Sequence, residues 1–276
     1  MRELLARGRE FLERKGVEEP RREAEWLAAH ALGLSRLQVF LALDRPLESA
    51  EVAAARALFV RRGRREPTAY VTGAREFYGR EFRVGPGVLV PRPETELLVD
   101  RARARLAGRA GARVVDVGTG SGCLAITLAL ECPGTRVAAV DSSARALEYA
   151  RANAQRLGAE VEFHLGDALA PIAPGFDLLV SNPPYVDPAV AASLAPEVRE
   201  HEPPEALFAP PGEPDHWARH LLRAGAEGAA PGAFLLIELG HDQAARLGAW
   251  PELAGKPHAT WRDLARVERV LEVGPL

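Results

Sequence analysis

Cysteine, lysine, asparagine and methionine are all scarce in this chain, which carries two, two, two and one of them among 276 residues. The cysteines, Cys123 and Cys132, form no Cys-x-x-Cys pair. That excludes a disulfide framework or a thiolate zinc site and suits a reducing cytoplasm, the expected location. No apolar run approaches the roughly 18 residues needed to cross a bilayer, so no membrane partner is expected. The opening stretch MRELLARGREFLERKG is charged throughout and has no apolar signal-peptide core. Gly-x-Ser-x-Gly, His-Glu-x-x-His and Walker-lysine motifs are also missing. Their absence removes familiar hydrolase, metalloprotease and nucleotide-triphosphatase readings. EHEPPE at 200–205 contains His201 but lacks metal-ligand spacing, and no metal is expected.

What is present is unevenly distributed. Residues 1–65 carry 14 Lys/Arg and 10 Asp/Glu, whereas 66–276 carry 21 and 28. The basic run Arg61-Arg62-Gly63-Arg64-Arg65 admits two readings. It could steer the protein toward nucleic acid or a ribonucleoprotein-associated partner. The favoured reading is a solvated helix end whose cations suit the C-terminal dipole.

Apolar spacing divides the chain into three parts. Residues 1–65 form a helical domain, with Leu4, Leu5, Phe11 and Leu12 on one amphipathic helix. Ala24, Leu27, Ala28 and Ala31 mark a second helix after Pro20, ended by Gly33. A third runs over 48–62, with Val52, Ala55 and Phe59 on one face. Residues 66–92 read as a linker of short strands around a turn, a β-hairpin. Residues 93–276 form the larger domain, opening on a helix where Pro93 takes the first turn and Thr95 or Glu94 caps nearby amides. Strands are expected at 112–118, 136–141, 161–166, 176–182 and 232–239. Helices are expected at 121–131, 143–157, 215–228 and 241–250. That alternation means a parallel sheet covered on both faces. Two successive strands, 257–262 and 266–273, then suggest an antiparallel edge.

VVDVGTGSGCLAITLAL joins a buried strand to an apolar helix through Gly118, Thr119, Gly120, Ser121 and Gly122. Glycines there permit sharp turns and close ligand approach at the carboxyl end of a strand. The spacing is Gly-x-Gly-x-Gly rather than the dinucleotide Gly-x-Gly-x-x-Gly. Asp116 immediately before the loop would repel a pyrophosphate but suits a cationic aminoacyl group. Asp141 ends the next strand, 19 residues after Gly122, where it can accept from both ribose hydroxyls. Asp167 and Ala168 end the third strand, where Asp167 could meet an adenine amino group. One such acid could be a helix cap; three on successive strands favour a nucleoside. The region from about 110 onward resembles class I S-adenosylmethionine-dependent methyltransferases. That resemblance implies an α/β fold with a seven-stranded, mostly parallel sheet whose last strand is antiparallel, with S-adenosylmethionine as cofactor and S-adenosylhomocysteine as product.

In that fold the fourth strand ends beside the transferable methyl group. Here it ends in Ser181-Asn182-Pro183-Pro184-Tyr185. The Asn182 side chain and the Pro183 carbonyl could accept both hydrogens of a planar –NH2 group. Pro184 would stiffen the loop, and Tyr185 could stack on the flat group carrying the nitrogen. Such a nitrogen has its lone pair delocalised, so two acceptors that hold it as it leaves planarity lower the barrier. No general base is assigned, because the proton leaves after methyl transfer. Asn182, Pro183 and Tyr185 are the expected catalytic residues, and Asn182 also closes the cofactor site.

Asn-Pro-Pro-Tyr alone leaves adenine, guanine and glutamine amino groups open. The flanks decide: PTAYVTGAREFYGREFRVGPGVLVPRPETELLV at 67–99, DVGTGSG at 116–122, LAPEVREHEPPEAL at 194–207 and GAFLLIELG at 232–240. With these motifs the whole chain resembles the HemK/PrmC family. The resemblance implies methylation of the glutamine side-chain amide in the Gly-Gly-Gln motif of class I peptide chain release factors. The helical domain would be a docking platform, and no stable nucleic-acid partner is expected. The alternatives are a ribosomal-protein glutamine methyltransferase and an RNA or DNA amino-methyltransferase. Intact Pro-Arg-Pro-Glu-Thr-Glu at 91–96 argues against the former, and the acidic balance of 66–276 argues against the latter. One departure from the family pattern is Arg266, where glycine is common.

Overall fold

The computed structural model describes all residues 1–276. The chain separates into two compact units, one of Met1–Ala74 with Ala195–His201, the other of Arg75–Leu194 with Glu202–Leu276. No helix in either is long and apolar enough to cross a membrane.

The first unit contains α1 (Arg2–Arg14), α2 (Pro20–Leu32), α3 (Arg36–Leu41), α4 (Ser49–Gly63) and α5 (Thr68–Thr72). Leu12, Leu27, Ala28, Ala55 and Phe59 form its core. Gly33 ends α2 in the left-handed conformation (φ +63°). The segment 68–72, expected as part of a linker of short strands, is instead helical. Pro67 starts α5, Gly73 stops it at φ +77°, and Ala69, Tyr70 and Val71 are buried. The basic run is not a solvated helix end either. Arg62 is 5% exposed and pairs with Glu23 at 3.2 Å and Glu197 at 2.6 Å. Arg65 also pairs with Glu197, and Arg61 with Glu66. Composition revealed the cations, whereas Glu23 and Glu197, the partners of Arg62 and Arg65, lie far away in the chain.

The second unit begins with a hairpin, β1 (Ala74–Phe77) and β2 (Arg80–Arg83). Its two-residue turn, Tyr78-Gly79, has positive φ at both positions (50° and 70°), as a type I′ turn requires. The Tyr78 amide donates to Glu96 at 2.8 Å, which helps hold a residue that is no glycine in this conformation. A short 3-10 turn, Pro93–Thr95, leads into α6 (Glu96–Leu106). Then follow β3 (Arg113–Val117), α7 (Cys123–Glu131), β4 (Arg136–Asp141), α8 (Ala144–Leu157), β5 (Glu162–Leu165) and β6 (Phe176–Ser181). Beyond β6 lie α9 (Pro196–His201), which belongs to the first unit, and then α10 (Pro204–Leu207), α11 (His216–Gly228), β7 (Ala229–Glu238), β8 (His258–Arg262) and β9 (Glu268–Val273).

The larger sheet has the order β5-β4-β3-β6-β7-β9-β8. Its first five strands are parallel, while β9 runs antiparallel to both β7 and β8. Alternation along each central strand fills two cores. Val114, Leu178, Val180 and Leu236 face one layer, and Val115, Leu179, Leu235 and Ile237 face the other. This is the α/β methyltransferase architecture, covered on both faces as a parallel sheet must be.

One expected helix is different. Over 241–250 the chain forms a 3-10 segment, Gln243–Ala249. Pro251 holds Trp250 extended and truncates the helix. Gln243 reaches back to the Gly240 amide at 2.6 Å, while Arg246 and Trp250 are drawn to Asp215 at 2.7 and 3.1 Å.

Candidate active site

The strand order reverses between β3 and β6, and in a parallel sheet the crevice for a ligand lies there, beyond the carboxyl ends. A cavity occupies this place, and all its lining residues belong to the second unit. Ser181 Oγ donates to the Val117 carbonyl at 2.7 Å and so ties the two strand ends together.

The turn after β3 is held from beneath. Asp116, 1% exposed, accepts from Thr119 Oγ1 at 2.7 Å and from the Ala125 amide at 3.2 Å. Burial pushes its carboxyl up to about 7. Gly118, Thr119, Gly120 and Ser121 line the cavity. Gly122 does not. A Cβ there would lie 2.8 Å from Ile126 Cδ1 and 3.1 Å from Ala150 Cβ, so this glycine serves the close approach of α7 and α8.

Asp141 at the end of β4 accepts from the Gly120 amide at 2.8 Å and from the Ser143 amide at 2.9 Å, one on each oxygen. Each oxygen keeps a second lone pair, which is what a vicinal diol requires. Burial raises this carboxyl as well. Asp167 and Ala168 complete that wall. Ala168 sits at φ +45°, a strained conformation of the kind concentrated at ligand sites.

At the end of β6, Asn182, Pro183 and Pro184 line the cavity. Tyr185 is outside the lining. Its ring packs where a Cβ on Gly240 would fall, 2.9 Å from Cδ2, and burial pushes its hydroxyl up to about 12. Asn182 Nδ2 donates to Thr95 Oγ1 at 3.1 Å, and Thr95 Oγ1 donates to Glu238 Oε2 at 2.6 Å. Thr95 therefore caps no helix with its side chain, contrary to expectation, because its backbone is already helical (φ −65°, ψ −19°) and its oxygen accepts from Asn182 rather than from a first-turn amide. Sequence reasoning also missed Glu202, which grips the cavity-lining Arg92 at 2.8 and 2.9 Å. Thr95, Glu202 and Glu238 each lie inside a motif that carried the family resemblance, and that was the available signal.

The lining's charged side chains are Asp116, Asp141, Asp167 and Glu205 against Arg92 alone, and Arg92 is already paired. Such a wall disfavours phosphates and fits a cationic nucleoside such as S-adenosylmethionine.

The PrmC N-terminal domain model matches residues 3–73, and the methyltransferase small domain model matches 93–198. A release factor glutamine methyltransferase of Geobacter sulfurreducens is 44% identical over 88% of this chain and 85% of its own length. Another, of Chlorobaculum tepidum, is 47% identical over 76% of each. A methyltransferase from Pyrococcus furiosus superposes with TM-score 0.53 at 18% identity, covering 71% of this chain and 89% of its own. The 16S rRNA N2 G1207 methyltransferase of T. thermophilus gives TM-score 0.50 at 19% identity, over 72% and 49%. The structural likenesses establish the fold alone, whereas the sequence relatives extend across both units. With that extent of identity, this chain belongs to the release factor glutamine methyltransferase family.

Proposed function

We propose that this protein transfers a methyl group from S-adenosylmethionine to the side-chain amide nitrogen of the glutamine in the Gly-Gly-Gln motif of class I release factors. The observation that carries the reading is Asn182. Its amide is anchored through Nδ2 to Thr95, which leaves Oδ1 as an acceptor at the cavity. Bound S-adenosylmethionine supplies an electrophilic methyl on a sulfonium. Asp141 would receive the ribose hydroxyls, and Asp167 with the Ala168 backbone would meet the adenine. Gly118, Thr119, Gly120 and Ser121 shape the wall for the aminoacyl end, with Gly122 supporting them from behind.

Asn182 Oδ1 and the Pro183 carbonyl accept the two N–H groups of the substrate amide. They aim its nitrogen at the methyl and stabilise the positive charge that develops there. Pro184 removes loop freedom, and near-attack geometry is worth more the less the loop moves. Tyr185, outside the cavity lining and packed against Gly240, supports the loop. The helical unit serves as a docking platform for the release factor. Neither a stable nucleic-acid partner nor a membrane enters the scheme, and the setting is the cytoplasm.

Asn182→Ala should lower kcat by about 100–1,000-fold while the fold and donor affinity remain. Tritiated methyl donor offered together with purified release factor, ribosomal proteins and RNA tests the acceptor. Label should appear in the release factor; label confined to ribosomal protein or to RNA overturns this assignment.

A further inference from the structure

We propose that Thr95 and Glu238 are positioning residues that set which way the Asn182 amide faces; this rests on the reading of Asn182 as the acceptor of the substrate amide. Three observations meet here. Glu238, 1% exposed, closes the C-terminal end of a central strand. Thr95, 4% exposed, lies between it and the cavity. The two contacts form an unbroken line, 3.1 Å from Asn182 Nδ2 to Thr95 Oγ1 and 2.6 Å from Thr95 Oγ1 to Glu238 Oε2.

A hydroxyl has one proton to give. An ionised carboxylate can only accept, so Thr95 must spend that proton on Glu238. Its oxygen is then an acceptor toward Asn182, which must answer with Nδ2. Oδ1 is thereby turned to the substrate, the orientation that methyl transfer needs. If Glu238 is protonated, the line can reverse. Glu238 donates to Thr95, Thr95 donates to Asn182 Oδ1, and the amide turns its –NH2 toward the substrate –NH2. Two donors then face each other, and the nitrogen is no longer held. The ionised Glu238 thus fixes the productive Asn182, and a proton on Glu238 opens the unproductive arrangement as well.

The groups around Glu238 leave this proton near balance. Against burial, the Thr95 hydroxyl, Arg269 and Arg92 favour the carboxylate, whereas Glu94 opposes it. Tyr185 and Cys123 also face it as neutral groups. Burial dominates and pushes the carboxyl up to about 7.

The chain's asparagine content provides a direct probe. Asn153 and Asn182 are its only asparagines, so selective 15N-asparagine labelling yields two side-chain amide pairs, assigned by Asn182→Ala. In wild type the Asn182 pair should titrate across about pH 6–8, and in Thr95→Val and Glu238→Gln it should not. An Asn182 pair that is unmoved by pH in wild type, or that titrates equally in both variants, overturns the proposal without any turnover measurement.

Kinetics at saturating donor and release factor give the second readout. Wild-type kcat should rise with pH through about 7 and then level, and Glu238→Gln should abolish that limb. Thr95→Val should lower kcat by about 10–100-fold with donor affinity within about twofold, while Thr95→Ser restores most of it. A limb that persists in Glu238→Gln, or unchanged kcat in Thr95→Val, overturns the relay. Failure of wild type to methylate the release factor would instead sink the acceptor assignment, and the amide titration would still judge the relay.

Discussion

Single residues in this chain stand where nothing else would do, and the two asparagines show it best. Asn153 is wholly buried. It accepts from the Arg83 amide at 2.8 Å and donates to the carbonyls of Arg83 at 3.0 Å and Ser121 at 2.9 Å. One side chain thereby binds the hairpin and the glycine turn to α8. Asn153→Leu should cost about 2–4 kcal/mol, because it strands buried backbone groups; a denaturant titration reads this directly. Arg266 is the opposite case. It occupies φ +65° in the turn between β8 and β9, its amide donating to the Asp263 carbonyl at 2.9 Å. The turn demands a left-handed residue, which glycine adopts freely and arginine only with strain. Arg266→Gly should stabilise the protein by about 0.5–1 kcal/mol, visible as a raised thermal midpoint with unchanged activity. Asn182 stood out in the sequence because asparagine is otherwise so rare. Thr95 and Glu238 did not, because the contacts that give them meaning span 87 and 143 residues of chain.

Elements were legible where their period was strong. The inner strands of the parallel sheet have distinct apolar runs, the edge strand β5 (Glu162–Leu165) alternates instead, and the two terminal strands announced the antiparallel edge. The rest depended on local backbone chemistry that competes with periodicity. Segment 68–72 became a helix because Pro67 and Gly73 bracket it, and 243–249 tightened to 3-10 because Asp215 and Pro251 pull on its end. In the glycine turn the spacing foretold a ligand loop without distinguishing wall from support. That difference is testable at Gly122, whose φ is +80° and whose missing Cβ makes room for Ile126 and Ala150. Gly122→Ala should destabilise the fold by about 2–4 kcal/mol through strain and overpacking. Its melting curve should shift well before donor affinity per folded molecule does.

At the scale of the whole molecule, buried and paired carboxylates pull stability in opposite directions with pH. Glu25, Glu197, Asp215 and Glu252 are held below the usual carboxylate range by arginines, although burial opposes this in each. Their stabilisation exists above the unfolded carboxyl pKa, about 4, and is lost as the pH falls through their folded values. Asp116 and Glu238 behave in reverse. Their folded carboxyls sit near 7, so their contribution is full below about 4 and disappears as pH rises through 7. From these groups the ligand-free protein should melt highest near pH 4 and lose stability as the pH rises toward 7, which scanning calorimetry across pH can follow. A cationic donor placed beside Asp116 should favour its ionised form, so binding near pH 7 should release a proton, measurable by titration calorimetry in buffers of different ionisation enthalpy. The first compact unit also has a history written into its connectivity. Glu197, which pairs with Arg62 and Arg65, belongs to a segment synthesised long after Ala74. At translation rates of about 5–20 residues per second, the helices must wait on the order of ten seconds for it. Until that carboxylate emerges, Arg62 has Glu23 alone as its acidic partner, and the nascent bundle leaves the ribosome as an unfinished domain.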